Sequence, residues 1–227
     1  MRLQPLTYLV GANGAGKSNY LDALHLVRDA LTGSLDECGA LKGSSEAAFP
    51  AVASDRLALV AVSGLAVFRP VFDALTAMGF YNLNPKLMRE LQKPQDGRLL
   101  KPVGENIASV IGHLERVAPE TMTTLQEYLQ TVVPTVQGVE RKQIGPMETL
   151  EFRQDVAGAK HPWRFLAQNM SDGTLRALGV LTALFQGNVD HAPTLIGIEE
   201  PETALHPAAS AVLRAALARA AQHTQSS

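Results

Sequence analysis

Apolar positions along this chain switch between the spacing of a strand and that of a helix, and the switches predict an order of elements. Leu6-Thr7-Tyr8-Leu9-Val10 is a short β-prone run ending at Gly11 and reads as a strand. Tyr20 or Leu21, Leu24, Val27 and Leu31 then recur at helical spacing, with Gly33 placed as a stop. Residues 33–55, rich in Gly, Ser and Ala, carry no period and read as loop. A candidate strand covers 57–62, and a helix covers 66–77 with Pro70 in its first turn. Residues 82–101 are loop-like, punctuated by Pro85, Pro94 and Gly97.

The second half is more regular. Ile107, Val110, Ile111, Leu114 and Val117 mark one helix; Met122, Leu125, Leu129 and Val132 mark another, which starts near Pro119. Residues 136–144 and 149–156 read as a hairpin about Gly145-Pro146, with 163–166 as a third strand. A helix over 174–185, a strand over 194–199 and a helix over 207–221 complete the order. The last helix carries a stripe of Val212, Leu213, Ala216, Leu217 and Ala220 that reads as core.

Composition narrows the class. The chain has 227 residues, enough for one sizeable α/β domain or a core with a small lobe. A net charge of −2 argues against an obligate nucleic-acid coat, so any such contact falls to a local basic face. Cys38 is the only cysteine, which excludes an internal disulfide framework and a cysteine-only metal cluster. It has no nearby partner and is assigned nothing. No apolar run reaches the length of a membrane span and no signal-peptide region is visible, so a cytoplasmic protein without membrane contact is expected.

Three short runs carry chemistry. Gly11-Ala12-Asn13-Gly14-Ala15-Gly16-Lys17-Ser18 fits G-x4-G-K-S without a gap. Its glycines let successive N–H groups curl toward one anion, and the following helix adds the positive end of its dipole. Lys17 is placed to reach β- and γ-phosphates, and Ser18 to offer its hydroxyl to Mg²⁺. The bland alternative is a chance glycine turn capping an ordinary helix. Farther on, Thr194-Leu195-Ile196-Gly197-Ile198 leads into Glu199-Glu200-Pro201-Glu202. Phosphoryl transfer to water uses one carboxylate near the metal and a second that handles the attacking water. Alone, the same run reads as a solvated acidic turn. Asn169-Met170-Ser171-Asp172-Gly173-Thr174 precedes an apolar helix, so Ser171 or Asp172 is a natural cap. A Ser-x-Gly there is also compatible with an anion contact.

In that order, GANGAGKS, MSDGT and IEEPETALHP resemble the ABC-type heads of RecF, SMC and overcoming-lysogenisation-defect (OLD) ATPases. The double Glu followed by Pro-Glu and Leu-His-Pro is most similar to OLD-like and predicted bacterial AAA-family ATPases. The resemblance implies an α/β P-loop NTPase fold: a mainly parallel central sheet, a helical insert at about 66–133 and a β-hairpin lobe at about 135–168. It implies ATP and Mg²⁺ as cofactors, with Gly11, Asn13, Gly14, Ala15, Gly16, Lys17, Ser18 and Asn19 as the Walker A contacts. It makes Ser18 and Glu199 the Mg²⁺ ligands and Glu200 the catalytic base, working with Lys17. Ser171, Asp172, Gly173 and Thr174 become the signature motif, and residues 202–207 the D-loop. Family heads close as homodimers around composite ATP sites and drive work on DNA or an effector protein, in repair or phage defence.

The pattern departs from the family in the strands expected before Leu6, in a Q-loop glutamine near 33–55, and in a switch histidine, since His223 follows no strand. An abridged head is therefore expected, with an ATP-binding dimerisation module of little hydrolysis as the alternative. A P-loop kinase or GTPase ranks last, because Ser171 and the Glu199-Glu200 pair have no role there. Lys86, Arg89, Lys93, Arg98 and Lys101 form a basic loop. Solvation is its simpler reading and sequence-independent DNA contact the alternative. His206 reads as a turn residue and His161-Pro162-Trp163 as hairpin packing.

Overall fold

The computed structural model describes residues 6–10, 16–33, 57–186, 193–201, 211–215 and 218. The chain divides into two discontinuous units: Leu9–Phe80 with Pro193–Gly197, and Met1–Tyr8 with Tyr81–Ala192 and Ile198–Ser227.

The smaller unit is built on α1 (Lys17–Thr32). Its helical period appears as predicted, and the Gly33 N–H ends it by bonding to the Asp29 carbonyl at 2.8 Å. Ala30 and Leu31 are buried, and His25 stacks on Phe80 with centroids 5.1 Å apart. The Arg28 guanidinium lies 5.4 Å from the same ring and pairs with Asp29, so the helix holds Phe80 by both dispersion and charge. Two short helices follow, α2 (Ala58–Val62) and α3 (Arg69–Thr76), the latter with Pro70 in its first turn. The strand β1 (Gly79–Tyr81) begins in this unit, where the Gly79 N–H donates to Leu195 O and the Thr194 N–H to Ala77 O. Both partners advance together, which makes the pairing parallel.

The larger unit wraps one helix. After the single turn α4 (Pro85–Met88) come α5 (Ile107–Val117) and α6 (Pro119–Val132). An antiparallel sheet follows, ordered β2 (Val136–Ile144), β3 (Met147–Gln154), β4 (Trp163–Leu166). Ile144 pairs directly with Met147 across Gly145-Pro146, and Gly145 takes the left-handed φ of 57° that a two-residue turn needs. The tight turn starts β3 at Met147, two residues before the expected 149. The core helix α7 (Asp172–Phe185) buries Leu175, Leu178 and Leu181 completely. Ala177 through Ala183 are all buried, so this helix faces protein on every side. The last described strand is β5 (Ile196–Ile198), narrower than the expected 194–199. Residues 211–215 are helical, within the predicted 207–221, whose other residues lie mostly outside those described.

Several expectations need correction. Residues 7–10 form no strand: Val10 is 91% exposed and the segment has no ladder partner among the described residues. A β-prone run becomes a strand only beside a neighbour. Residues 58–62 are helical, because a short apolar run fits a helical turn as well as a strand. The basic loop contains the helix α4, started by Asn84, whose side-chain oxygen accepts the Lys86 N–H at 3.0 Å. The expected mainly parallel sheet also differs. Among the described residues the parallel sheet has two short strands, and the three-stranded antiparallel sheet is larger. The fold is mixed α/β. Of the stretch 33–55, expected to be loop, residues 34–55 lie outside the described residues.

The antiparallel sheet carries a charge device. Glu151 is buried on β3, and Arg164 of β4 donates to it while also reaching Glu140 at 3.0 Å. The Arg164 guanidinium holds the Glu151 carboxyl below the ordinary carboxylate range, helped by Lys142 and opposed by burial. A carboxyl depressed on folding stabilises above its unfolded pKa, and the gain is lost as pH falls through the folded value. Arg164→Met should therefore lower the urea midpoint near pH 7 by more than it does in acid below the ordinary carboxylate range. Paired urea titrations at the two pH values check this.

Candidate functional site

Of the glycine run, Gly11, Asn13, Gly14 and Ala15 lie outside the described residues. Gly16 is left-handed at φ 81°, ψ 16°, and feeds directly into α1 at Lys17. Among the described residues nothing stands within 4 Å of where a Cβ on Gly16 would lie. A glycine cap has no side chain to satisfy the first N–H groups of the helix, and the dipole there is positive. Lys17 is half-buried and Ser18 and Asn19 are exposed on the first turn. This end suits an anion, and a phosphate fits it.

The acidic pair stands where β5 ends. The Glu199 N–H donates to Tyr81 O at 3.0 Å, which extends the parallel pairing by one step. Its carboxylate Oε2 accepts a 2.9 Å hydrogen bond from Asn82 Nδ2. Glu200 is exposed and has φ 43°, the only left-handed residue other than glycine among those described. That conformation costs about 1–2 kcal/mol for a residue with a Cβ. A carboxylate held by an amide and a second held off the favoured backbone is an arrangement expected of a working site. Carboxylate oxygens are the ligand type that a hard cation such as Mg²⁺ takes, although no cluster of three or more His, Cys, Asp or Glu side chains able to hold a metal occurs among the described residues.

Ser171 caps α7. Its Oγ accepts the Thr174 N–H at 3.1 Å and lies 2.9 Å from Thr174 Oγ1. Asp172 starts the helix, Gly173 is half-buried and Thr174 is buried. Arg89 Nη2 donates to Asp172 Oδ1 at 2.6 Å and to the Met170 carbonyl at 3.0 Å. The Ser171 turn is thus held both by its own cap and by a cation from 83 residues earlier.

Neither the Asn82 bond to Glu199 nor the Arg89 bond to Asp172 was visible in the sequence. Both residues sit in a stretch read as loop, and hydrogen bonds spanning 117 and 83 positions leave no local signal. Arg89 had been grouped with candidate DNA contacts, but only 27% of its side chain is exposed and its Nη2 is engaged. Lys101 pairs with Glu105 at 3.7 Å, while Lys86, Lys93 and Arg98 are exposed. His161, Pro162 and Trp163, read as hairpin packing, are exposed, and Trp163 keeps one stacking contact, with Phe165. Glu202, His206, His223 and Cys38 lie outside the described residues. The larger unit holds Asn82, Arg89, Ser171–Thr174 and the acidic pair; the smaller holds Gly16–Asn19.

Residues 135–226 match the model of a protein family described as "AAA domain, putative AbiEii toxin, Type IV TA system". The matched stretch is less than half of the chain. It takes in the antiparallel sheet, the Ser171 turn and the acidic pair, and begins after the glycine run. It indicates an AAA or P-loop ATPase-like domain, and at that level nucleotide binding and ATPase activity. No curated protein and no solved structure matches the chain. No described helix is long and apolar enough to cross a membrane.

Two stability measurements separate the structural from the chemical roles here. Ser171→Ala should cost about 1 kcal/mol through the lost cap, whereas Ser171→Gly should cost only a few tenths. Glu200→Gly should leave stability unchanged or raise it by up to about 1 kcal/mol, because glycine accepts the left-handed backbone. Denaturant titration of the three variants checks both.

Proposed function

We propose that this chain binds MgATP and hydrolyses it as an ABC-type head of the RecF/SMC/OLD kind. The observation that carries the reading is the acidic pair at the tip of a parallel strand. Glu199 is hydrogen-bonded to Asn82 there, and Glu200 is turned into the left-handed region. The G-x4-G-K-S run opening directly into a sixteen-residue helix supports it from the other end of the chain.

In this reading Lys17 sets its ammonium against the β- and γ-phosphates, and the Gly16–Ser18 backbone cradles them. Ser18 and Glu199 supply oxygens to Mg²⁺, which when bound neutralises charge building on the transferred phosphoryl group. Glu200 orients the attacking water and takes its proton. Ser171, Asp172, Gly173 and Thr174 present a capped helix start to a nucleotide held by a second copy, so a homodimer closes around two equivalent sites. DNA or an effector protein is the object of that closure, in repair or defence.

Lys17→Ala should abolish tight MgATP binding, read by calorimetry, with an unchanged circular dichroism spectrum. Glu200→Gln should keep MgATP binding and lose turnover, and its ATP-dependent dimers should persist in sedimentation. Unchanged affinity in Lys17→Ala would remove the phosphate-loop role. Turnover that survives in Glu200→Gln and stops in Glu199→Gln would exchange the two carboxylates.

A further inference from the structure

We propose that residues 82–89 are a rigid strap that positions Glu199 and the Ser171 turn together, with Asn82 and Arg89 as its two positioning residues. Its catalytic consequence rests on the hydrolytic reading above; its mechanical part does not.

One short segment makes both tethers. At its start, Asn82 Nδ2 donates to Glu199 Oε2 at 2.9 Å. At its end, Arg89 Nη2 donates to Asp172 Oδ1 and to Met170 O, on either side of Ser171. A tether orients its target only if its own backbone is fixed, and this backbone is. The Asn82 N–H donates to Pro102 O at 2.9 Å and the Asn84 N–H to Val103 O at 3.0 Å. Asn84 then caps the turn α4, whose first residue is Pro85, so the chain from one tether to the other has little freedom.

The strap is also pegged from below. Leu83 and Met88 are each 2% exposed. Both lie on Gly179 of α7, where an added Cβ would stand 2.9 Å from Leu83 Cδ1 and 3.0 Å from Met88 Cε. The missing side chain at Gly179 lets the strap seat on the helix whose N-terminus Arg89 holds. Glu199 and the Ser171 turn are therefore referred to one frame, and a shift of the strap moves both.

The mechanical test uses the full chain and amide hydrogen exchange, with no need for turnover. Met88→Ala removes a peg and touches neither tether. It should speed exchange at the Glu199 amide, bonded to Tyr81 O, and at the Thr174 amide, bonded to Ser171 Oγ, by about tenfold relative to the Phe152 core amide. Response at only one end, or at neither, overturns the strap. Where Met88→Ala does not fold, Leu83→Val is read in the same way, since it trims the other peg and leaves a smaller cavity.

The catalytic test uses ATP turnover. Asn82→Ala and Arg89→Ala should each lower kcat by roughly tenfold or more, with KM for MgATP little changed. Asn82→Gln keeps an amide N–H donor for Glu199, whereas Asn82→Leu has a similar bulk and no donor. Asn82→Gln should therefore recover part of the lost kcat and Asn82→Leu should not, a split that a packing defect does not produce. Unaltered kcat in Asn82→Ala, or equal losses in Asn82→Gln and Asn82→Leu, removes Asn82 as a positioning residue. A parent chain without turnover defeats the hydrolytic reading and leaves the exchange result to decide the strap.

Discussion

Leu175, Leu178 and Leu181 of α7 are withdrawn from water, and much of the larger unit is disposed around keeping them so. Three leucines buried in this way stabilise the fold by about 1.5–3 kcal/mol each before entropy is counted. The N-terminus of this helix is its exposed end, with Ser171 and Asp172 open to solvent, and the first N–H groups there have to be capped. Ser171 does this from within the helix, and Arg89 fixes the turn before it from outside. The chemistry assigned to the Ser171 turn therefore sits at the exposed end of a buried helix, where the cap and Arg89 fix the geometry. A polar motif on a freely moving loop would have no such reason to be still.

The regular parts of the larger unit were legible from spacing alone. The stripes of α5 and α6 and the alternation about Gly145-Pro146 each reflect a face that must be covered. The elements formed at these places with small shifts at their ends. What could not be read was anything decided by a partner far along the chain. Leu6–Val10 has the composition of a strand but pairs into no ladder among the described residues. Residues 58–62 are too few for their apolar run to choose a conformation by itself. Asn82 looks like any polar residue before a proline-containing turn, and only the fold shows that its amide meets Glu199. The G-x4-G-K-S run, the Ser171 turn and the double Glu were visible because each is contiguous, and what holds the latter two is not.

The family match has the same bias. It begins at residue 135, so it takes in Ser171 and Glu199 and leaves out both Asn82 and Arg89. The Ser171 turn and the acidic pair thus fall on the other side of the boundary of the matched region from the two residues that hydrogen-bond to them. Orientation in this chain depends on hydrogen bonds from a segment that carries no motif. Charge alone did not show that Arg89, one of five basic residues in that segment, is engaged by Asp172 and the Met170 carbonyl.

The division of the chain into units has a bearing on its birth. The smaller unit consists of Leu9–Phe80 and Pro193–Gly197, two pieces separated by more than a hundred residues of the other unit. During synthesis the first piece leaves the ribosome early and must wait for the second. Ala77 and Gly79 meanwhile have no Thr194 or Leu195 to bond with. The stretch from Tyr81 onward, with its helices and hairpin close in sequence, can condense during that interval. The strand that ends in Glu199 and Glu200 is then the last of the described strands to be laid down. The acidic pair arrives on a scaffold whose Asn82 and Ser171 turn are already in place.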